Sequence, residues 1–144
     1  MNELRRKALQ LLARREHSRT ELARKLAGQG TTEEIDAVLD DLQQRNLLSD
    51  VRMTDAYLRS HGARFGAIKL RQNLRAKGVS AETVDNGLHE AELPPELDRA
   101  RMLWQRKFGQ LPADAKEWAR QARFLQSRGF SSDTIRRLLR SIDA

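Results

Sequence analysis

The sequence predicts an all-α protein built from three tandem three-helix repeats, each resembling a helix-turn-helix. Three observations predict this fold. Apolar residues recur at the i, i+3, i+4 and i+7 spacing of an amphipathic helix, and no segment shows the sustained alternation of a half-buried strand. All three prolines lie beyond residue 93, so helix-interrupting residues are rare. A capped helical module also occurs three times, in units of about 48 residues.

The recurring module is a helix whose first residue is preceded by Thr31, Ser80 or Ser131. The side-chain oxygen of such a residue can accept a backbone N–H that the helix leaves without a partner. Apolar or small residues then stand 4, 7, 8 and 11 positions after each cap residue. They are Ile35, Val38, Leu39 and Leu42, then Val84, Gly87, Leu88 and Ala91, and finally Ile135, Leu138, Leu139 and Ile142.

Two helices precede the capped helix in repeat 1, which we assign to residues 1–50. Residues 3–15 carry an apolar stripe, and Ser18 caps a short second helix. Gly30, just before the third helix, suits the left-handed C′ position that ends a helix. One leucine in the second helix of each repeat is expected in the core, namely Leu22, Leu70 and Leu125.

Repeat 2, residues 51–93, follows the same order. A helix over residues 53–61 is separated by Gly66 from the second helix, and Gly78 suits its C′ position.

Repeat 3, residues 94–144, begins with a helix over residues 96–108. A turn at Gly109–Pro112 leads to the second helix, and Gly129 suits its C′ position. Five of the seven aromatic residues of the chain lie in this repeat, where we expect them to form the core, although they could instead stack on bases of a single strand. They are Trp104, Phe108, Trp118, Phe124 and Phe130.

Several function classes are excluded by what the sequence lacks. Without cysteine there is no disulfide or thiolate site, which suits a reducing, cytoplasmic location. No apolar run approaches 18 residues, so we expect no membrane contact, and the charged start of the chain argues against a signal peptide. The three histidines have no partners at metal-site spacing. Gly62, Gly66 and Lys69 fall short of the phosphate-loop pattern, so we expect neither an enzyme nor a cofactor or metal.

Charge is the main functional signal. The chain has 27 Lys/Arg against 20 Asp/Glu, a net charge of +7, and basic proteins favour acidic partners, most often nucleic acid. Residues 59–77 hold six basic residues and no acid, whereas residues 78–98 hold six acids and no Lys or Arg. Basic second helices could therefore face phosphates and acidic third helices something basic. Alternatively, charges on neighbouring helices pair within the fold, or the arginines reflect a GC-rich genome.

The candidate contacts to nucleic acid are basic residues of the second helices and the last helix. They are Arg64, Lys69, Arg71, Arg75 and Lys77 in repeat 2, joined by Arg24, Lys25, Arg128, Arg136 and Arg137.

Three stretches of the chain carry a family resemblance. Ala8–Leu26, Arg64–Leu70 and Phe124–Ser131 resemble, in that order, the RecX family, whose members regulate the RecA recombinase. The closing L-x-x-R-G-F pattern of the family is matched at Leu125–Phe130.

The resemblance implies an elongated, curved, all-helical monomer with no activity or cofactor of its own. It implies binding to the RecA nucleoprotein filament and to single-stranded DNA, more weakly to duplex. It further implies inhibition of filament extension, ATP hydrolysis, strand exchange and co-protease activity, and hence a place in homologous recombination, DNA repair and the SOS response.

Two other readings stay open. The chain could be a helix-turn-helix regulator of transcription that binds duplex DNA, although the would-be recognition helices of repeats 1 and 2 are acidic and only residues 134–140 could enter a groove. It could also be a protein-binding adaptor whose basic runs are solvated faces.

Overall fold

The computed structural model of the protein describes residues 2–141. Over that range it contains nine α-helices, one 3₁₀ turn at Gly62–Arg64 and no strand, which confirms the all-α prediction. Ile142, the last apolar position predicted for repeat 3, lies outside the described residues. The helices are α1 (Asn2–Arg14), α2 (Arg19–Leu26), α3 (Thr32–Gln44), α4 (Asp50–His61), α5 (Ala67–Ala76), α6 (Ala81–Glu90), α7 (Glu96–Lys107), α8 (Ala115–Ser127) and α9 (Ser132–Ser141).

The helices form two compact units, and α4 and α5 each contribute to both. Unit 1 comprises the residues up to Tyr57 together with Leu74–His89. Unit 2 comprises Leu58–Asn73 together with the residues from Glu90 onward. The elongated, curved array expected from the repeat stays a prediction, which the radius of gyration in solution scattering would test.

Side-chain caps begin the helices where the sequence predicts them. The Ser18 hydroxyl accepts from the Glu21 N–H at 3.0 Å, and the Glu21 carboxylate accepts from the Ser18 N–H at 3.0 Å. Thr31 and Glu34 form the same reciprocal pair at the start of α3. Ser80 and Ser131 each accept a backbone N–H from the residue three positions on, at 3.1 Å. Each cap satisfies a donor that the helix itself cannot.

The core of unit 1 is aliphatic. The apolar positions of the repeat 1 module are all buried, as are the expected core leucine of α2 and two residues of α1. This core consists of Leu4, Ala8, Leu22, Leu26, Ile35, Val38, Leu39, Leu42 and Leu48.

The core of unit 2 contains aromatic rings. Trp104 and Phe130 are buried, and the Trp104 indole N–H donates to Gln121 Oε1 at 2.8 Å. Phe108 and Phe124 are half-buried. The prediction for Trp118 was wrong, because its side chain is 40% exposed in the first turn of α8, one turn before the buried face of that helix begins.

Left-handed glycines end α5 and α8, as predicted. Gly78 has φ +83° and Gly129 has φ +88°. The prediction for Gly30 was wrong, since Gly28 has the positive φ (+85°) in unit 1. The reason is that α2 ends at Leu26 itself, whereas α5 and α8 continue two residues beyond the corresponding leucines, Leu74 and Leu125. The C′ position of α2 therefore falls on Gly28.

The start of α5 packs backbone to backbone against the α8–α9 turn, within unit 2. The Gly66 N–H donates to the Arg128 carbonyl at 2.8 Å, and the Ile68 N–H donates to the Gly129 carbonyl at 3.2 Å. A Cβ on Gly66 would lie 2.3 Å from the Gly129 oxygen, and one on Gly129 would lie 2.2 Å from the Lys69 Cβ. Only glycine at both positions permits this approach.

Glu96, at the start of α7, completes the same junction. Its carboxylate accepts from the Ala67 N–H at 2.9 Å and from the Thr134 hydroxyl at 2.7 Å. The Glu96 carboxylate therefore forms its hydrogen bonds within unit 2. Although Glu96 is one of the six acids of residues 78–98, it does not offer its charge to a basic partner. Because Gly66, Ala67 and Ile68 all direct their N–H groups to protein oxygens, this segment is not a phosphate-binding loop.

Candidate nucleic-acid interface

The ten candidate basic residues divide between the two units. Unit 1 holds Arg24, Lys25, Arg75 and Lys77, which lie at the ends of α2 and α5. Unit 2 holds Arg64, Lys69, Arg71, Arg128, Arg136 and Arg137, on or beside α5, α8 and α9.

Lys77 is held by the fold of unit 1. Its ammonium lies 3.3 Å from the Glu21 carboxylate and 5.7 Å from the centre of the Tyr57 ring. The Lys77 carbonyl accepts from the Ser18 hydroxyl at 2.6 Å. Arg24 makes a similar contact, because its guanidinium donates to the Ala76 carbonyl at 2.9 Å. These two candidates therefore join α2 to the end of α5.

Glu21 is the carboxylate around which this junction forms. Burial by itself would raise the pKa of Glu21, but the Ser18 N–H, the Arg15 guanidinium and the Lys77 ammonium lower that pKa to about 2. The carboxylate is consequently an anion at neutral pH that contacts two cations and offsets one positive charge.

Lys25 and Arg75 also have partners within unit 1. The Lys25 ammonium lies 3.0 Å from Nε2 of His17, whose Nδ1 lies 3.0 Å from the Arg15 carbonyl. Since a carbonyl only accepts and an ammonium only donates, His17 is neutral with its proton on Nδ1. Arg75 remains exposed, with one guanidinium nitrogen 2.9 Å from the Val79 carbonyl.

Three of the five acids of α3 pair with basic residues of neighbouring helices. Arg5 bonds to Asp41, and Arg19 lies 2.8 Å from Asp40 and 3.8 Å from Asp36. For α3, this favours pairing within the fold over an acidic surface that awaits a basic partner.

The unit 2 candidates on α5 line a different kind of surface. Arg64 is exposed and donates to the Ser60 carbonyl at 3.1 Å, and Arg71 is exposed. Lys69 is half-buried beside Gly129 and lines a groove of about 390 Å³. The other lining residues are Ile68, Gln72, Gln126, Ser127, Gly129, Phe130 and Ser132. None of the described residues that line this groove is a carboxylate, so within residues 2–141 nothing in the groove neutralises Lys69.

On α9, Arg136 is exposed, and Arg137 forms a surface ion pair with Asp133 at 3.1 Å. Such exposed pairs stabilise a helix only slightly and leave the guanidinium accessible.

Arg128 belongs to a cluster that sequence reasoning only partly found. Its guanidinium lies 5.2 Å from the centre of the Phe124 ring, and Lys107 lies 5.6 Å from the same ring. Arg120 lies 4.9 Å from the Phe108 ring. Lys107 and Arg120 were not among the candidates. The signal that could have found Arg120 is the Arg120, Phe124, Arg128 spacing, which places three residues on one face of a helix.

The net charge of the chain lies entirely in unit 2. By sequence, unit 1 has twelve Lys/Arg and twelve Asp/Glu, a net charge of zero. Unit 2 has fifteen Lys/Arg and eight Asp/Glu, a net charge of +7. A polyanion would therefore be attracted to unit 2 more than to unit 1.

No group of three or more His, Asp or Glu side chains within the described part of the chain is arranged to hold a metal ion. None of the described helices is long and apolar enough to cross a membrane.

Comparison with protein-family models finds three matches, in chain order. Residues 5–42 match the first three-helix domain of RecX, residues 49–88 match the second, and residues 95–139 match the third.

Individual proteins with similar sequences and folds carry the same name. Regulatory protein RecX of Leptothrix cholodnii is 54% identical over 138 residues, which cover 95% of this chain and 87% of the relative. That of Chromobacterium violaceum is 44% identical, covering 94% and 88%. The crystal structure of RecX from Lactobacillus salivarius superposes with a TM-score of 0.79 at 19% identity, covering 99% of this chain and 96% of that one. At that identity the likeness concerns the fold.

Proposed function

The chain belongs to the RecX family, and from that premise we propose that it is a non-enzymatic regulator of the RecA recombinase. The observation that carries the proposal is the ordered match of three RecX three-helix domains along residues 5–139. We propose that the protein inhibits RecA by binding the RecA filament on single-stranded DNA. Filament extension, ATP hydrolysis, strand exchange and co-protease activity would all fall as a consequence, in the cytoplasm and in the context of recombination, DNA repair and the SOS response.

The repeat boundaries form part of the proposal. We assign residues 1–50, 51–93 and 94–144 to the three repeats, and we propose that the protein acts as a monomer. Each repeat would offer its second helix to the filament.

The charge distribution supports this mode of action. A nucleoprotein filament presents phosphates, and the +7 charge of unit 2 favours contact with them. Lys69, Arg71 and Arg75 are the α5 residues that we propose contact the filament directly. Lys77 and Arg24 would act mainly by holding α2 and α5 together, because their side chains already bond within unit 1. The remaining proposed contacts are Lys25, Arg64, Arg128, Arg136 and Arg137.

The test is ATP hydrolysis by RecA on single-stranded DNA, titrated with this protein. Inhibition at well below one copy per RecA is expected if the protein controls filament growth. A folded Lys69→Ala/Arg71→Ala/Arg75→Ala variant should inhibit far less and should show a weaker salt dependence. The matched control is Arg6→Ala/Arg14→Ala/Arg45→Ala, which removes three charges from unit 1 outside the proposed surface.

The result that contradicts the proposal is unchanged ATP hydrolysis at saturation with a protein shown to be folded. A duplex-binding regulator would then become the leading hypothesis, and selection of a preferred duplex sequence would test it.

A further inference from the structure

We propose that Lys107, Arg120 and Arg128, held on the rings of Phe108 and Phe124, form a binding site for the phosphates of single-stranded DNA. We call these five residues the ring–cation site. The inference deepens the proposed function and rests on it for the nature of the ligand.

The rings give the ring–cation site its rigidity. Phe108 follows α7 and Phe124 lies on α8, and their ring centres are 5.5 Å apart with the ring planes at 88°, an edge-to-face pair. Both rings are half-buried and pack against the core of unit 2. A cation attracted to such a ring populates fewer rotamers than an exposed Lys or Arg side chain without a partner.

Three cations rest on these two rings. Lys107 and Arg128 lie 5.6 Å and 5.2 Å from the Phe124 centre, so the two charges are within about 11 Å of each other. Arg120 lies 4.9 Å from the Phe108 centre. An anion bound beside the Phe124 ring would therefore lie near two cations at once.

The neutralisation of these charges is incomplete. Within residues 2–141, neither Lys107 nor Arg128 forms an ion pair with a carboxylate. Arg120 alone is paired, with two hydrogen bonds to Glu117 at 2.9 Å and 2.8 Å. The three cations and Glu117 therefore leave a local charge of +2. A ring orients a cation without cancelling its charge, so the site remains available to phosphates.

The chemistry favours a single strand over a duplex. Aromatic rings beside cations are the combination that binds single strands, because phosphates meet the cations while unpaired bases contact the exposed parts of the rings. In a duplex the bases are stacked and the rings would add nothing beyond charge.

The experiment measures binding of labelled oligo(dT) of about 20 nucleotides by fluorescence anisotropy, without RecA, at salt concentrations from about 50 to 200 mM. Lys107→Ala/Arg128→Ala should weaken binding about tenfold. The plot of the logarithm of the association constant against the logarithm of the salt concentration should also become shallower by about 1.4, since each phosphate contact on a single strand contributes about 0.7. The matched control, Arg101→Ala/Arg140→Ala, removes the same charge from α7 and α9 outside the site.

Phe124→Leu separates positioning from charge. It keeps every cation but removes the ring on which two of them rest, so we expect weaker binding at every salt concentration. Circular dichroism and thermal unfolding establish that each variant is folded. If Phe124→Leu unfolds unit 2, the surface variant Lys107→Ala/Arg128→Ala still decides the question.

Three outcomes would overturn the inference. One is an equal loss of binding in the control, which would mean diffuse attraction to unit 2. The second is unchanged binding by folded Phe124→Leu. The third is tighter binding of a duplex than of oligo(dT) through the same residues.

The RecA assay keeps this inference distinct from the proposed function. If the wild-type protein inhibits RecA but Lys107→Ala/Arg128→Ala binds oligo(dT) normally, the ring–cation site is refuted and the proposed function stands. If the site binds oligo(dT) as expected but RecA is unaffected, the site stands and the proposed function fails.

Discussion

Units 1 and 2 hold their basic side chains in different ways. In unit 1, carboxylates bind the cations, as Asp41 binds Arg5, Asp40 binds Arg19, and Glu21 binds Lys77. In unit 2, aromatic rings hold Lys107 and Arg128 without a carboxylate partner among the described residues, whereas Arg120 lies over a ring and also bonds to Glu117. A carboxylate fixes a cation and cancels its charge, whereas a ring fixes it and leaves the charge in place. A basic residue therefore adds most to an attractive surface where its partner is uncharged.

Left-handed glycines also differ in what surrounds them, and the difference occurs within unit 1 as well, where a Cβ on Gly78 would collide with the Thr20 side chain. Gly28 in unit 1 and Gly129 in unit 2 have nearly the same φ, +85° and +88°. A Cβ on Gly28 would have no atom within 4 Å, but one on Gly129 would lie 2.2 Å from the Lys69 Cβ and 2.4 Å from its backbone nitrogen. Of Gly28 and Gly129, only Gly129 is required for contact between helices.

The largest expected effect follows from this difference. Gly129→Ala should lower the free energy of unfolding by about 4 kcal/mol, because backbone strain adds to the loss of the bonds between Gly66, Ile68 and the α8–α9 turn. Gly28→Ala should cost only the strain, about 1–2 kcal/mol. Urea unfolding of both variants measures the difference. Equal costs would show that the close approach to Lys69 contributes nothing.

A second test compares two carboxylates with similarly lowered pKa values. The pKa of Glu21 is lowered to about 2 from 4.5, and its side chain is only 10% exposed. A carboxylate whose pKa is lowered by folding stabilises the fold above its unfolded pKa, and that contribution disappears as the pH falls from about 4.5 to about 2. For Glu21 the contribution is at most about 3 kcal/mol.

Glu117 in unit 2 is the matched case. The Arg120 guanidinium and then the Gln121 amide lower its pKa to about 2, but the group lies at the surface. Glu21→Gln should therefore flatten the decline in stability on acidification, and Glu117→Gln should change that decline far less. Denaturant unfolding at a series of pH values gives both curves. If both variants lose stability equally on acidification, burial of the carboxylate does not decide the size of the effect.

The smallest expected effect comes from His17 in unit 1. Its burial, together with the nearby Arg15 and Lys25 charges, lowers its pKa below 6.5, against the opposing effects of the Arg15 carbonyl and the Glu21 carboxylate. A histidine that binds its proton less well when folded stabilises the fold fully above its unfolded pKa. Stability should then fall as the pH drops below about 6.5, by less than the Glu21 effect.

Lys25→Met removes the ammonium that faces Nε2 and should raise the pKa of His17. An NMR titration of the imidazole measures that pKa directly in both proteins. If the imidazole of the wild-type protein titrates at the ordinary value of about 6.5, the lowered pKa of His17 is refuted.

The helices and much of the core could be predicted because their determinants are local. The caps at Ser18, Thr31, Ser80 and Ser131 begin helices as expected, since a cap needs only a backbone N–H three residues away. Leu22, Leu70 and Leu125 are fully buried, as their helical spacing predicts. The error at Gly30 arose where α2 ends two residues early, which the apolar spacing does not reveal.

For the candidate site, the sequence predicted the kinds of residue but not their arrangement. That the chain is basic, and that Arg128 belongs to its surface, follows from the sequence. The sequence does not show which cations are neutralised, because Lys77 meets Glu21 across 56 positions and Arg5 meets Asp41 across 36. Lys107 and Arg120 were missed for the same reason, since the rings that hold them lie on neighbouring helices.

The sequence alone therefore determined the all-α class, the helix starts and most of the buried positions, which depend on hydrogen bonds and apolar spacing within a few turns. Tertiary structure decided the rest. It concentrated the net charge in unit 2, placed Gly66 against Gly129, and set Lys107 and Arg128 over one ring. The physical reason is that charge pairing and close backbone contact depend on distances in space, and those distances exist only after the helices have packed.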